Sequence, residues 1–262
     1  MTTVLLCRDG SAARYLAHRL ALEGLVQAII LEHGAAARRR KLARWFAQSA
    51  WWQLPQRCLD LLALQRYGRA VDAHLTRQLL QPQGCAAYPA GVPQHTVDDA
   101  NDPACIALLA SIAPQIVVVF GTSILRDSVL HLPVPYRLNV HMGMVPHYRN
   151  VHSDAWAFLR RDYERIGTSI LHLSAGIDDG DVALQAAIDV EPGDTILAIK
   201  RKNLEVAGRL VVQAVRLAGD HALPRTPQAG AGAGVYKTPG FAELRQIMQA
   251  SVELPTNRAR QP

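Results

Sequence analysis

The sequence lacks long apolar runs and any paired-cysteine motif. No stretch approaches the roughly 20 apolar residues that a helix needs to cross a bilayer. The N-terminal run "VLLC" follows no basic leader and is too short for a signal peptide. The four cysteines are Cys7, Cys58, Cys85 and Cys105, and none has C-x-x-C or zinc-ligand spacing. We therefore expect a cytoplasmic protein with reduced, mostly buried thiols, no membrane contact and no metal.

A dinucleotide-binding fingerprint is also missing. Such a site needs G-x-G-x-x-G directly after the first strand. The turn at this place contains only Gly10 and Ser11. A nicotinamide or flavin site is therefore poorly supported, whereas a phosphate at the N-terminus of the following helix remains open.

The overall composition is ordinary for a globular protein. The chain has 262 residues, of which 49% are hydrophobic and 19% charged, enough for one large α/β domain with or without a small appendage. Much of the net charge of +6 lies in "ARRRKLAR" (37–44). Such a patch can bind nucleic acid or an anionic ligand, but we favour a solvated helix face.

The N-terminal pattern is typical of a doubly wound sheet. Residues 3–7 form an apolar run that predicts a buried strand, and residues 26–32 predict a second one. Between them lies an amphipathic helix with Leu16, Leu20 and Leu22 among its apolar positions. Strand, helix and strand in this order open an α/β fold with a mostly parallel, Rossmann-like sheet.

The sheet is predicted to resume after an insertion. The later elements are a strand at 114–121, a strand at 136–143, a helix at 153–167, two strands around an acidic turn within 168–190, and a helix at 192–220. Asp194 or Thr195 is expected to cap the last helix after Pro192.

Three segments are predicted to lie outside the sheet. Residues 36–81 form a helical insertion in which Pro55 starts a new helix, and residues 82–104 form a Pro/Gly-rich loop. The G-A-G-A-G stretch near the C-terminus is interpreted as a flexible connector. The insertion has apolar positions that we expect to serve packing: Trp45, Trp51, Trp52, Leu54, Leu61 and Leu64.

Three polar residues form the candidate site. Asn139 and His141 are two residues apart at the end of a strand, so their side chains point the same way. In an open α/β sheet, ligands bind at the carboxyl ends of the strands. Asp178, in the acidic turn "AGIDDGD", can reach the same crevice by folding back. Asp179 is expected to face solvent, and Asp181 to serve the turn.

These three residue types suit acyl transfer. Asn donates a neutral N–H to an oxyanion, His shuttles a proton near neutral pH, and Asp orients the imidazole. No serine or cysteine is placed as an obvious nucleophile, which favours direct attack by an amine over a covalent intermediate. On spacing alone, an N-x-H pair on a strand is more often structural than functional.

The stretch "LNVHMGMVPHYRN" followed by "GTSILHLSAGIDDGDVALQ" resembles the folate-dependent formyltransferases, which include glycinamide ribonucleotide, methionyl-tRNA, amino-sugar and hydroxyornithine enzymes. Their motif is Asn-x-His-Pro-Ser, Leu-Pro-x-Tyr-Arg-Gly, Gly-x-(Thr/Ser) and (Leu/Ile)-Asp-x-Gly. The resemblance is strong over 104–190 and weaker over 3–32. The positions that match in order are Asn139, His141, Pro146, Tyr148, Arg149, Gly167, Thr168, Ile177, Asp178 and Gly180.

The resemblance implies transfer of a formyl group from 10-formyltetrahydrofolate, with Asn139, His141 and Asp178 as the catalytic residues. Asn139 would hold the formyl oxygen as a tetrahedral intermediate forms, His141 would handle the proton, and Asp178 would fix His141. The implied folate contacts are Phe120, Gly121, Thr122, Ser123, Ile124, Leu125, Ser174, Ala175, Gly176 and Ile177. The implied acceptor contacts are Gly10, Ser11, Met142, Gly143, Tyr148 and Arg149.

The sequence departs from the family pattern at three places. Met142 replaces the proline after the histidine, Gly143 replaces the serine, and Asn150 replaces the glycine after Tyr-Arg. The smaller residue at 143 is expected to reshape the acceptor side. The N-terminal loop also lacks the Gly-Ser-Asn that the purine enzyme uses for its substrate phosphate, which argues against glycinamide ribonucleotide.

We therefore expect a formyltransferase domain at 1–220, including the helical insertion, with a C-terminal extension at 221–262. The expected acceptor is a small amine, first a nucleotide-linked amino sugar and next hydroxyornithine or a related amino acid. A tRNA acceptor is not expected despite the basic charge, because the tRNA enzyme carries a substantial C-terminal barrel domain and only a short segment follows the acidic turn here. Hydrolysis by the same three residues stays open, as do a homodimer and a degenerate, non-catalytic or nucleic-acid-binding protein.

Overall fold

The first strand–helix–strand unit forms as the sequence predicts. It consists of β1 (Thr3–Arg8), α1 (Ser11–Leu22) and β2 (Ala28–Glu32). Successive β1 side chains enter different cores, with Leu5 in one and Leu6 in the other, so both faces of the strand are covered. This explains why the strand is apolar throughout. The computed structural model describes residues 1–34, 43, 50–229 and 234–253.

The remaining helices and strands follow the predicted order with additions. They are α2 (Leu54–Leu75), β3 (Gln94–Val97), α3 (Pro103–Ile112), β4 (Ile116–Phe120), α4 (Asp127–Leu130), β5 (Tyr136–His141), β6 (Tyr148–Asn150), α5 (Ser153–Leu159), β7 (Gly167–His172), β8 (Val182–Ala187), α6 (Ile196–Gly219), β9 (Gly234–Tyr236) and α7 (Phe241–Gln249). Single turns of 3-10 helix lie at Trp51–Gln53, Gln81–Gln83 and Tyr163–Arg165, and a π-helical turn at Thr76–Leu80.

The described strands build one main sheet in the order β3-β2-β1-β4-β5-β7-β8. The strands from β3 to β5 are parallel, while β7 and β8 run antiparallel to their neighbours. Helices α1, α2 and α6 contribute to the core on one face, and α3 and α4 to the core on the other. The predicted open, mostly parallel α/β fold is confirmed. Its parallel strands direct the carboxyl ends of β1, β4 and β5 to one edge.

Several predicted boundaries are wrong. The loop predicted at 82–104 contains β3, a polar strand that, among the described strands, lies at the edge of the sheet and pairs with β2 alone, and so needs no apolar run. The helix predicted over 153–167 ends at Leu159, and Arg161 adopts a left-handed φ of 57° that cannot continue it. Leu22 at the end of α1 is 69% exposed instead of buried.

The helical insertion is confirmed in its second part, where Pro55 lies in the first turn of α2. The packing role predicted for Trp51 and Trp52 is wrong, because their side chains are 78% and 66% exposed in the turn before α2. Leu54, Leu61 and Leu64 are partly buried, whereas Trp45 and the basic stretch 37–44 lie outside the described residues apart from residue 43.

The cysteines are mostly as expected. Cys7 and Cys105 are buried, Cys85 is partly buried, and Cys58 is exposed on α2. All four lie within the described residues, and they form no disulfide. Cys58 is thus the exception to the expected burial of the thiols.

The C-terminal segment packs against the body of the molecule. Strand β9 pairs with β6 in a separate two-stranded parallel sheet. Helix α7 buries Leu244 and Ile247 in the same core as α1 and α6. Thr195 caps α6, its hydroxyl accepting from the amide of Ala198 at 3.4 Å. In the part of the chain that the structure describes, no helix is both long and apolar enough to span a membrane.

Candidate active site

A cleft of about 460 Å³ lies at the carboxyl ends of β4 and β5. Strand β4 ends at Phe120, and Gly121 turns the chain with a φ of 67°, a left-handed conformation that glycine adopts without strain. The turn after β4 forms one wall of the cleft, and the acidic turn between β7 and β8 forms the opposite wall. The volume is that of a small-molecule site, and the position agrees with ligand binding at the carboxyl ends of strands in an open α/β sheet.

The structure brings Asn139, His141 and Asp178 together in this cleft. The amide of Asn139 donates through Nδ2 to Asp178 Oδ1 at 2.8 Å. The other carboxylate oxygen, Oδ2, lies 3.3 Å from His141 Nδ1. One carboxylate thus contacts both residues of β5, and the side chains are largely shielded from water, with 7% of His141 and 12% of Asp178 exposed.

The acidic turn holds Asp178 in an unusual conformation. Its φ is 46°, a left-handed value that Asp tolerates better than most residues. The backbone amide of Asn150 donates to Asp178 Oδ2 at 2.8 Å. Asn150 itself has a φ of 75°, which explains why asparagine can stand where the related motif has glycine. Asp178 and Asn150 are therefore residue types that tolerate the left-handed conformation, and the contact between them fixes the carboxylate.

The ring of His141 is turned inward. Its Nε2 lies 2.8 Å from the carbonyl oxygen of Tyr148, while its Nδ1 faces Asp178. Both partners are acceptors, so either ring nitrogen can donate to its partner when it carries a proton. Gly143 makes room for this ring, because a Cβ there would lie 2.5 Å from Nε2 and would also run into Ser153. The glycine that departs from the family motif is thus tied to the orientation of His141.

The two turns predicted to contact folate form walls of the cleft. Nine of those ten residues line the cleft, and Ala175 does not. The turn after β4 is fixed from below by Glu32, whose Oε2 accepts from the amide of Ser123 at 2.9 Å, so that backbone donor is already used. The side chain of Asn101 accepts from the amide of Arg126 at 2.7 Å and donates to the carbonyl of Ile124 at 3.1 Å.

Glu32 and Asn101 were not singled out in the sequence. A glutamate that ends the apolar strand "AIILE" is the signal that could have identified Glu32. Its side chain is fully buried and also accepts from Arg8 NH2 at 2.7 Å and from the Ala100 amide at 3.1 Å. It therefore supports the cleft wall and does not face the cleft.

Of the predicted acceptor contacts, Met142 lines the cleft and the other five do not. The expected phosphate position at α1 is occupied by a carboxylate of the protein, because Asp72 Oδ1 accepts from the amide of Ser11 at 2.8 Å. Gly10 lies beside the same carboxylate. A second anion is disfavoured there by charge repulsion, so the geometry does not favour a phosphate at Gly10 and Ser11.

Tyr148 and Arg149 serve neighbouring loops. The hydroxyl of Tyr148 donates to Asp162 Oδ2 at 2.9 Å, and its ring stacks on Tyr236. Arg149 donates through Nε and NH2 to Gln228 Oε1 at 3.2 and 2.6 Å. Gly143 lies beneath the His141 ring instead of opening the cleft.

The neighbouring aspartates point elsewhere. Asp179 is exposed and accepts from the hydroxyl of Ser174 within its own turn. Asp181 lies before β8 and pairs with Arg225 at 3.1 Å. Among these aspartates, Asp178 alone contacts Asn139 and His141.

Two further histidines, both missed in the sequence, line the cleft. Burial, and then the charge of Lys200, lower the pKa of His152 to about 4, although Asp154 opposes the shift. His152 is therefore neutral at physiological pH. His172 is held by Pro224 O, 2.8 Å from Nε2, and by Arg225 NH2, 3.1 Å from Nδ1. The arginine can only donate, so Nδ1 is the acceptor and Nε2 carries the proton.

Behind the cleft lies a buried ion pair. Lys200 Nζ donates to Asp154 Oδ1 at 2.6 Å, and 12% of the lysine and 1% of the aspartate side chain are exposed. Burial alone would lower the pKa of Lys200, but Asp154 and Tyr67 more than compensate and raise it. This pair anchors α5, which follows the cleft residues Asn150 to His152, onto α6.

Known proteins resemble this chain in sequence and in fold. A methionyl-tRNA formyltransferase of Syntrophus aciditrophicus (strain SB) is 32% identical over 130 residues, which are 49% of this chain and 41% of that protein. A similar protein of Variovorax paradoxus (strain S110) is 37% identical over 126 residues, 48% of this chain and 38% of that one. The chain spans less than half the length of these curated relatives.

Solved structures agree on the fold. A glycinamide ribonucleotide transformylase 1 from Symbiobacterium toebii superposes with a TM-score of 0.57 at 20% identity, covering 88% of this chain and 95% of that one. A sugar N-formyltransferase from Shewanella sp FDAARGOS_354 gives a TM-score of 0.57 at 11% identity, covering 90% of this chain and 76% of that one. Residues 67–215 match the family model described as formyl transferase. Since that match covers more than half of the chain and includes Asn139, His141 and Asp178, the chain belongs to the formyl transferase family.

Proposed function

We propose that this protein transfers a formyl group from 10-formyltetrahydrofolate to the amine of a small molecule. The observation that carries the proposal is the Asp178 carboxylate, which lies 2.8 Å from Asn139 Nδ2 and 3.3 Å from His141 Nδ1 at the cleft. An amide donor, an imidazole and a carboxylate in mutual contact are the groups that acyl transfer to an amine requires.

Asn139 is the donor for the formyl oxygen. One hydrogen of its Nδ2 is engaged by Asp178, and the second is free to donate to an oxygen in the cleft. Because Asp178 fixes the amide, the donor is oriented before the substrate arrives. A preorganised donor stabilises negative charge as it develops on that oxygen.

His141 handles the proton that the attacking amine loses. Asp178 lies beside Nδ1 and stabilises the ring when it carries a positive charge. In the inward orientation, Nε2 is engaged by the Tyr148 carbonyl, so proton transfer to the cleft requires the ring to turn. No cysteine lines the described cleft. Ser174 donates to Asp179 and His141 faces Tyr148 and Asp178, so no described serine is paired with His141 as a nucleophile, which supports direct attack over a covalent intermediate.

The cleft residues fit the co-substrate. When bound, 10-formyltetrahydrofolate supplies the formyl carbon that the amine attacks. The residues proposed to hold it are the turn 120–125 and residues 174–177, which offer backbone donors and acceptors on opposite walls. Val119, Leu125 and Leu171 add apolar surface for a flat ring. A mixed lining with few polar groups is typical of small-molecule sites.

The proposed acceptor is an amino sugar, in the first place a nucleotide-linked one, and hydroxyornithine or a related amino acid is the alternative. A tRNA acceptor is the second candidate, since the curated relatives carry that name. Residues 1–220 are proposed as the catalytic domain, with 221–262 as an extension. A homodimer in the cytoplasm stays part of the proposal.

The same three residues could instead hydrolyse 10-formyltetrahydrofolate. Formyl transfer differs from this hydrolysis because its turnover depends on an added amine. The test incubates the protein with 10-formyltetrahydrofolate and a panel of amino sugars, hydroxyornithine and charged methionyl-tRNA, and follows tetrahydrofolate and formylated products by mass spectrometry. Amine-dependent turnover supports the proposal. Equal formate release without any amine identifies a hydrolase, and an absence of turnover with every acceptor contradicts both activities.

A further inference from the structure

Gln228 connects the acidic turn to β6 through four hydrogen bonds. Its Nε2 donates to the carbonyl oxygens of Asp178 and Gly180 at 2.8 and 2.7 Å. Its Oε1 accepts from Arg149 Nε and NH2. Each donor faces an acceptor, so the side-chain amide is fully used in one orientation. Gln228 lies beyond residues 67–215, the part of the chain that matches the family model.

The neighbouring residues hold the same segment in place. Thr226 forms an antiparallel bridge with Val182 at the start of β8. Arg225 pairs with Asp181 and contacts His172. Residues 224–228 thus contact both ends of the acidic turn, and Gln228 contacts its centre.

We propose that Gln228 is a positioning residue that holds the Asp178 carboxylate against Asn139 and His141. The inference rests on the proposed formyl transfer. A non-glycine residue in the left-handed region persists only when its surroundings hold it there, and the φ of Asp178 is 46°. Gln228 binds the carbonyl of this residue and the carbonyl two residues later, so it fixes the peptide units that aim the carboxylate.

Gln228 has two sets of contacts, which correspond to two different roles of the same side chain. If Gln228 only ties loops together, its contact with Arg149 carries the effect. If it positions Asp178, the two N–H donors carry the effect. Gln228→Glu distinguishes these roles, because glutamate keeps an acceptor for Arg149 but directs a carboxylate oxygen at two carbonyl oxygens. Gln228→Ala removes both sets of contacts.

The test measures kcat and KM for formyl transfer in Gln228→Glu, Gln228→Ala and the control Gln249→Glu, an equal charge change at an exposed position on α7. A misplacement of about 1 Å costs on the order of 100-fold in rate, so kcat is expected to fall about 10- to 100-fold in both Gln228 variants. Glutamate should be no better than alanine, the KM for the folate should change by less than about threefold, and the control should match wild type.

A second readout does not depend on activity. The amide of Asn150 donates to Asp178 Oδ2, so its hydrogen exchange reports the position of the carboxylate. Exchange is expected to accelerate at least about tenfold in both Gln228 variants, since a protecting hydrogen bond is weakened. Wild-type kcat and wild-type Asn150 exchange in Gln228→Glu would overturn the inference. A wild-type protein that transfers no formyl group would overturn the proposed function instead, while unchanged exchange in Gln228→Ala would still overturn the positioning role.

Discussion

The Asp178 carboxylate receives a hydrogen bond of 2.8 Å from the amide of Asn139, a residue that lies 39 positions earlier in the chain. Strand β7 runs antiparallel to β5, and its last residue, His172, lies opposite Leu138. The acidic turn that follows therefore folds back along β5 to bring Asp178 to Asn139. The second oxygen of the same carboxylate faces His141. The position of the acidic turn therefore decides whether this carboxylate keeps its contacts with both residues of β5.

The first prediction concerns folate binding. A stable 10-formyl-folate analogue should bind in the cleft, as measured by calorimetry. Glu32→Gln should weaken binding by about tenfold or more, because the partly buried amide of Ser123 on the turn after β4 loses its acceptor at a cost of about 1–3 kcal/mol. Failure of wild type to bind at millimolar analogue would exclude a folate donor.

The second prediction concerns Gly143. Gly143→Ala should lower the free energy of unfolding by about 1–3 kcal/mol and reduce kcat, because the added Cβ overlaps the His141 ring and Ser153. Urea unfolding and steady-state kinetics measure both effects. The control is Gly91→Ala, where a Cβ meets nothing within 4 Å. Equal stability and activity of the two variants would contradict the inward orientation of His141.

The third prediction concerns pH. The pKa of His152 is lowered from 6.5 to about 4, so the unfolded chain binds a proton that the folded protein does not. The free energy of unfolding should therefore rise as the pH increases from about 4 to 6.5. On acidification through the same range, this group should cost up to about 3 kcal/mol of stability. In His152→Asn, which tolerates the left-handed φ of 57°, the slope should be smaller. Identical slopes in urea titrations would count against a partly buried, neutral His152.

The fourth prediction concerns nucleic acid. If the basic stretch 37–44 is a solvated face, tRNA should bind weakly and lose its affinity at moderate salt, because phosphate contacts are salt-dependent. Filter binding over a range of salt concentrations measures this. Micromolar, structure-selective binding of tRNA at physiological salt would favour the tRNA acceptor.

The sequence predicts those features that depend on local pattern. Strand β1 and helix α1 follow from apolar periodicity, and the meeting of Asn139, His141 and Asp178 follows from a motif. Edge strand β3 was missed because a strand paired on one side carries no apolar run. The packing role predicted for Trp51 and Trp52 was wrong because hydrophobicity does not reveal whether a partner surface exists.

The supports of the site could not be predicted for a different reason. Glu32 bonds to the amide of Ser123 across 91 residues, and Gln228 bonds to the carbonyl of Asp178 across 50. Contacts from a side chain to a distant backbone group leave no spacing pattern in a single sequence. The inward ring of His141 likewise depends on the space above Gly143, which only the fold defines.

The most direct test of the central claim compares Asp178→Asn with Asp179→Asn in formyl transfer from 10-formyltetrahydrofolate under single-turnover conditions. Loss of a carboxylate that orients a catalytic histidine costs on the order of 10²–10⁴ in rate. Asp178→Asn should therefore nearly abolish transfer while binding the folate analogue as wild type does, and Asp179→Asn, altered at an exposed side chain, should keep most of the activity. Equal rates in the two variants, or the reverse order, would contradict the account.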